Sequence, residues 1–114
     1  MSETNRVTET TAPPVPRYGA GALADLPSSV LAALGVPDAA NVLDLPPLPR
    51  ACVLVIDGLG WEQLKSHPDE APFLNAMEGG PITSGFPATT VTSLASLGTG
   101  APPGAHGLLG LQVA

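Results

Sequence analysis

A chain of 114 residues has room for one domain at most. Its formal charge of −6, with four Lys and Arg that do not cluster, excludes a binder of nucleic acid or of an anionic membrane. The single cysteine, Cys52, excludes an internal disulfide and fits a reducing compartment.

No apolar run approaches the ~20 residues that a membrane span needs. The start, Met1 to Arg6, lacks the basic-then-apolar pattern of a secretory signal. A soluble, cytoplasmic protein is the expectation.

Three segments follow in order. Residues 1–17 are polar and then proline-rich, at Pro13, Pro14 and Pro16. Such a stretch buries too little apolar area to offset its ordering entropy, which predicts a disordered arm. Residues 18–50 predict a short helix and a proline-rich connection. Ser28 to Leu34 has helical character, with Ser28 or Ser29 as N-cap and Gly35 and Pro37 as stop signals. Pro46, Pro47 and Pro49 then rule out a central strand between Asn41 and Arg50.

Residues 51–114 carry the chemistry. Ala51-Cys52-Val53-Leu54-Val55-Ile56 is continuously apolar and β-branched, the pattern of a strand covered on both faces in a parallel sheet. It ends in Asp57-Gly58-Leu59-Gly60, at the carboxyl end where such sheets place ligands. Trp61 to Ser66 and Asp69 to Met77 predict two helical stretches, broken at Pro68. Trp61 is expected to pack beside the site, and Glu62 and Lys65 to be solvated.

Pro81 to Phe86 suits a second short strand. It delivers the chain to Thr89 and Thr90, the start of a helix with stop signals at Gly98 and Gly100. A loop from Ala101 to Gly107 follows, and Leu108 to Ala114 opens a further element. Strand, helix, strand, helix is the order of an α/β layered fold. The ending at Ala114, in what reads as a strand beginning, suggests the front part of a longer protein.

Two positions stand out chemically, each with two readings. Asp57, after a run of apolar residues, either caps its own Asp-Gly turn or binds a metal, since a bare buried carboxylate is too costly. A Thr at the start of the later helix either caps it or acts as a nucleophile stabilised by the free N–H groups there.

Three ordered blocks, Val53-Leu54-Val55-Ile56-Asp57-Gly58-Leu59-Gly60, Phe86-Pro87-Ala88-Thr89-Thr90 before Leu97-Gly98-Thr99-Gly100, and Pro102-Pro103-Gly104-Ala105-His106-Gly107, resemble the N-terminal part of the alkaline phosphatase superfamily. The nearest branch is the nucleotide pyrophosphatase/phosphodiesterase and phosphonoacetate hydrolase group. The resemblance spans roughly Ala51 to Gly110. It implies part of a three-layer sandwich with a mostly parallel sheet, truncated after the nucleophile helix.

It further implies a zinc-dependent phosphodiesterase or pyrophosphatase with two Zn²⁺ ions and a phospho-threonine intermediate. Asp57 would be a metal ligand. The family nucleophile lies nine residues before the Thr of the Thr-Gly block, so counting back from Thr99 reaches Thr90, which would also touch the metal. Family members often carry Asn three residues later. Here Ser93 stands in that place, and its hydroxyl can donate to a phosphoryl oxygen.

His106 matches a His-Gly pair and is expected to be structural. Neither it nor His67 belongs to an Asp-x-x-x-His or Asp-His pair, so the remaining zinc ligands are expected outside this chain, and the 114 residues alone are expected to be inactive. The expected substrate is a small phosphate ester or nucleotide. The rival expectation is a non-catalytic α/β domain that binds a ligand or partner without turnover. A sulfatase is disfavoured, because that branch has Cys or Ser at the position of Thr90.

Overall fold

The structure, a computed structural model, describes residues 14–110. Its regular elements are helical: a 3-10 turn at Leu23–Asp25, then α1 (Leu26–Ala33), α2 (Trp61–Ser66), α3 (Pro72–Ala76), α4 (Thr90–Thr99) and α5 (Pro103–His106). No helix among the described residues is long and apolar enough to cross a membrane.

This overturns the expected three-layer sandwich. Among the described residues there is no mostly parallel sheet; one isolated parallel bridge joins Ala22 and Thr83. Ala51–Ile56 has no regular secondary structure and is exposed throughout, Leu54 at 75%. The physical reason is that a strand exists only through ladder partners, and parallel partners must come from sequence-distant segments. Residues 81–86, the expected second strand, bond elsewhere: Thr83 exchanges backbone hydrogen bonds with Leu23 and Gly21 at 2.7 and 3.0 Å. Among the described residues the apolar run has no strand to pair with.

The helices follow their local signals more closely. α1 starts two residues earlier than expected, with Pro27 in its first turn, where a missing N–H costs nothing. Ser28 and Ser29 do not cap it; both hydroxyls donate back to the Asp25 carbonyl, at 3.3 and 2.7 Å. Its end is the expected glycine stop. Gly35 has φ of 88°, and the N–H groups of Gly35 and Val36 return to Ala32 and Leu31, the paired bonds of a Schellman motif. α3 begins at Pro72 rather than Asp69, because the residue before a proline is pushed out of the helical region; Ala71 has φ −134° and ψ 58°.

α4 is the hub. It packs on the 3-10 turn, α1 and α5, while α2 and α3 pair separately. The interior around it is built of small and polar residues: Ala22, Ala24, Ala33, Ser29, Thr92 and Ser96 are all buried. Asp25 organises the N-terminal edge of this layer. Its carboxylate accepts from the backbone N–H groups of Gly19 (3.1 Å), Gly21 (3.1 Å) and Ala22 (2.8 Å), so residues 19–25 fold around one anion.

The expected arm over residues 1–17 lies outside the described residues up to residue 13. Arg17 is anchored, its N–H donating to Thr83 Oγ1 at 2.8 Å. The element expected from Leu108 to Ala114 is described only to Gly110, in irregular backbone.

Close packing at Gly85 ties these parts together. A Cβ there would sit 2.9 Å from Pro103 Cγ and 3.4 Å from both Thr92 Cγ2 and Tyr18 Oη. Gly85→Ala is therefore expected to destabilise the protein by about 1–3 kcal/mol, the usual cost of overpacking, in urea unfolding. A variant as stable as wild type would show that α5 is free to move away.

Candidate functional site

α4 starts where two consecutive threonines divide two tasks. Thr89, in extended backbone (φ −130°, ψ 154°), is the N-cap, and its Oγ1 accepts from the Thr92 N–H at 3.4 Å. The same hydroxyl donates to Thr92 Oγ1 at 2.9 Å, and Thr92 Oγ1 donates to the Leu108 carbonyl at 3.0 Å. With the cap taken by Thr89, the hydroxyl of Thr90 is free for another partner.

That partner is Asp57. Thr90 Oγ1 donates to Asp57 Oδ2 at 3.1 Å, with Oδ1 at 3.4 Å, across thirty-three positions of sequence. Asp57 sits on the turn that follows the apolar run, where Gly58 takes φ of 74°. Both side chains are exposed. They are open to solvent and to a ligand.

The pair lies in an open cleft of about 790 Å³. One side is lined by the residues from Val53 to Gly60. The other is the stripe Thr90, Ser93, Leu94 and Leu97 along α4, at the spacing of one helical face. Ser93 thus lines the same cleft as Asp57 and Thr90. Trp61 lines it too, held by Lys65, whose Nζ lies 4.5 Å from the ring centroid. Lys65 is an exposed position of α2, as expected, and its Nζ also donates to the Asn75 carbonyl at 3.4 Å, which links α2 to α3.

His106 lies apart from the pair. Leu108 N–H donates to its Nδ1 at 3.0 Å, and Nε2 meets Ser96 Oγ at 3.0 Å. A backbone N–H can only donate, so Nδ1 is the acceptor and the neutral ring carries its hydrogen on Nε2, donating to Ser96. Both nitrogens are engaged within the chain.

Residues 51–113 match the family described as type I phosphodiesterase / nucleotide pyrophosphatase. The chain belongs to this family. No curated protein and no solved structure matches it. The match begins at the apolar run before Asp57 and contains both halves of the hydroxyl–carboxylate pair. Hydrolysis of the phosphodiester or nucleotide pyrophosphate type is the chemistry the family points to.

Zinc takes four donors in structural sites, and three protein donors with an open position in catalytic ones. Asp57 and Thr90 offer oxygens that converge on one point of the cleft wall, which fits part of such a set. Among the described residues no group of three or more His, Cys, Asp or Glu gathers anywhere, so the set they offer is incomplete. Sequence reasoning missed Asp25 and the buried hydroxyls Thr92 and Ser96. The signal for Asp25 was the Gly19-Ala20-Gly21 stretch just before it, whose backbone N–H groups can converge on an anion.

Proposed function

We propose that this chain carries the nucleophile edge of a metal-dependent phosphodiesterase or nucleotide pyrophosphatase, with Thr90 forming a phospho-threonine. The observation that carries the reading is the hydrogen bond from Thr90 Oγ1 to Asp57 on the lining of the cleft. Asp57 accepts the hydroxyl proton's hydrogen bond and so aims an oxygen lone pair away from itself, into the cleft. Thr90 Oγ1 gives up its proton to Asp57 as it attacks phosphorus, the bond to the leaving oxygen breaks with its electron pair going to that oxygen, and the oxygen takes up the proton and departs as an alcohol or phosphate. Water then cleaves the Thr90–phosphorus bond and restores the hydroxyl.

Thr90 and Val91 occupy the first two positions of α4, where N–H groups have no partner within the helix and face an anion favourably. Ser93, one turn on, donates to a non-bridging oxygen. An unscreened carboxylate beside an anionic phosphoryl group is repulsive, and this motivates a cation at Asp57. Zinc bound there would supply Lewis-acid stabilisation of developing charge. Asp57 and Thr90 would hold it, with the remaining donors outside the described residues. The substrate is a small phosphate ester or nucleotide held in the cleft.

The test is hydrolysis of an aryl phosphodiester by the full-length protein supplied with zinc, with Asp57→Ala as comparison. We expect turnover in the wild type and a loss of roughly a hundredfold or more in the variant, as when a charge-stabilising group is removed. Binding of the ester without any turnover in the wild type would favour the non-catalytic alternative.

A further inference from the structure

We propose that His106 is a positioning residue for the Thr90 nucleophile, acting through the backbone of Leu108 and the buried hydroxyls of α4. The proposal rests on the phosphohydrolase reading above. Thr92 and Ser96 are one turn apart on the buried face of α4, at 0% and 2% exposure, yet neither is left without a partner. Ser96 engages the end of α5 and Thr92 the segment that follows it. Ser96 Oγ meets His106 Nε2, His106 Nδ1 accepts the Leu108 N–H, and the Leu108 carbonyl accepts from Thr92 Oγ1. The circuit closes through α4 itself.

Its far end is the cap. Thr92 Oγ1 spends its hydrogen on Leu108, so it can only accept from Thr89, and this fixes the direction in which the Thr89 hydroxyl points. The same clamp seats Gly110 against the start of α4. A Cβ on Gly110 would lie 2.5 Å from Thr89 Oγ1 and 2.9 Å from Thr92 Oγ1, and its φ of 79° is one that side chains rarely adopt. Thr89 is therefore enclosed on the cap and cannot exchange roles with its neighbour. Thr90, next in sequence, keeps its hydroxyl on Asp57. His106 touches neither Thr90 nor Asp57 among these bonds; it acts by holding Leu108.

The experiment compares His106→Leu, which fills similar space without the acceptor, with His106→Asn, whose carboxamide oxygen can occupy the place of Nδ1. In full-length protein, hydrogen exchange of the Leu108 amide and methyl NMR of Thr89, Thr90 and Thr92 are read alongside turnover of the aryl phosphodiester. In His106→Leu we expect loss of Leu108 protection, side-chain averaging at Thr89 and Thr90, and a roughly tenfold to hundredfold fall in kcat, the scale of a nucleophile misplaced by about 1 Å. His106→Asn should restore protection, rotamers and most of the turnover. Should His106→Leu fail to fold, Ser96→Ala, which removes the other partner of the ring, is expected to give the same threonine averaging more weakly.

Loss of Leu108 protection with unchanged threonine rotamers would overturn the positioning role and leave His106 as a packing residue. Threonine signals that respond as expected in a protein without turnover would instead count against the phosphohydrolase reading while preserving the clamp.

Discussion

Replacing Thr90 by alanine is expected to lower hydrolysis of an aryl phosphodiester by about three orders of magnitude or more, the scale on which loss of a covalent nucleophile is felt. The expectation comes from the division of labour at the start of α4. Thr89 is committed to the cap through Thr92, whereas Thr90 donates to Asp57 from an exposed position on the cleft wall. Thr89→Ala removes a cap, which costs about 1 kcal/mol in stability, and because that cap positions Thr90 its turnover should fall by roughly tenfold to a hundredfold, far less than in Thr90→Ala. Thr90→Ser keeps an attacking oxygen and should retain measurable activity. Steady-state kinetics on the three full-length variants decide the matter: activity kept in Thr90→Ala and lost in Thr89→Ala would move the nucleophile by one residue.

Asp25→Ala is expected to cost about 3 kcal/mol of folding stability, because three backbone N–H groups lose one charged acceptor and two of those bonds are buried. For a domain of this size the melting temperature should fall on the order of 15 °C. Asp25→Asn keeps one oxygen for Gly21 and Ala22 but turns its NH₂ toward Gly19, a donor facing a donor, so about half the loss should remain. The effect reaches beyond the turn. The Asp25 carbonyl accepts from Ser29 Oγ, and that hydroxyl accepts in turn from the Leu43 N–H at 3.1 Å, which holds the proline-rich connection on α1. The amides of residues 41–45 and of Leu48 should therefore exchange faster in Asp25→Ala. An unchanged melting temperature would mean that solvent replaces the carboxylate without penalty.

What the sequence made legible was local chemistry. Gly35 and Gly100 end helices in the left-handed backbone that a Cβ disfavours, and that preference is written in the residue type. Pro72 sets the start of α3 for an equally local reason. The juxtaposition of Asp57 with Thr90 was expected from two motifs on one sheet edge, and the structure brings the two side chains together without that sheet. A turn with two glycines after the apolar run and an extended approach to α4 suffice. The sheet itself was not legible as present or absent, since hydropathy records what a strand would bury and not whether partners stand beside it. Val53, Val55 and Ile56 remain apolar and exposed here.

Nor could the interior be read from apolar periodicity. On α4 the buried positions are Thr92 and Ser96, whereas the apolar Val91 and Leu94 are exposed. Hydroxyls can go inside because each finds a partner: Thr92 at Leu108 and Ser96 at His106. Such pairing depends on a segment ten to sixteen residues downstream, which no window on the helix contains.

The most direct measurement of the central claim is mass spectrometry of full-length protein quenched during turnover of an aryl phosphodiester with zinc. A single phosphoryl group on Thr90, absent from the Asp57→Ala protein, is the predicted result. An unmodified Thr90 in a protein that is turning over substrate, or the label on Thr89, would contradict it.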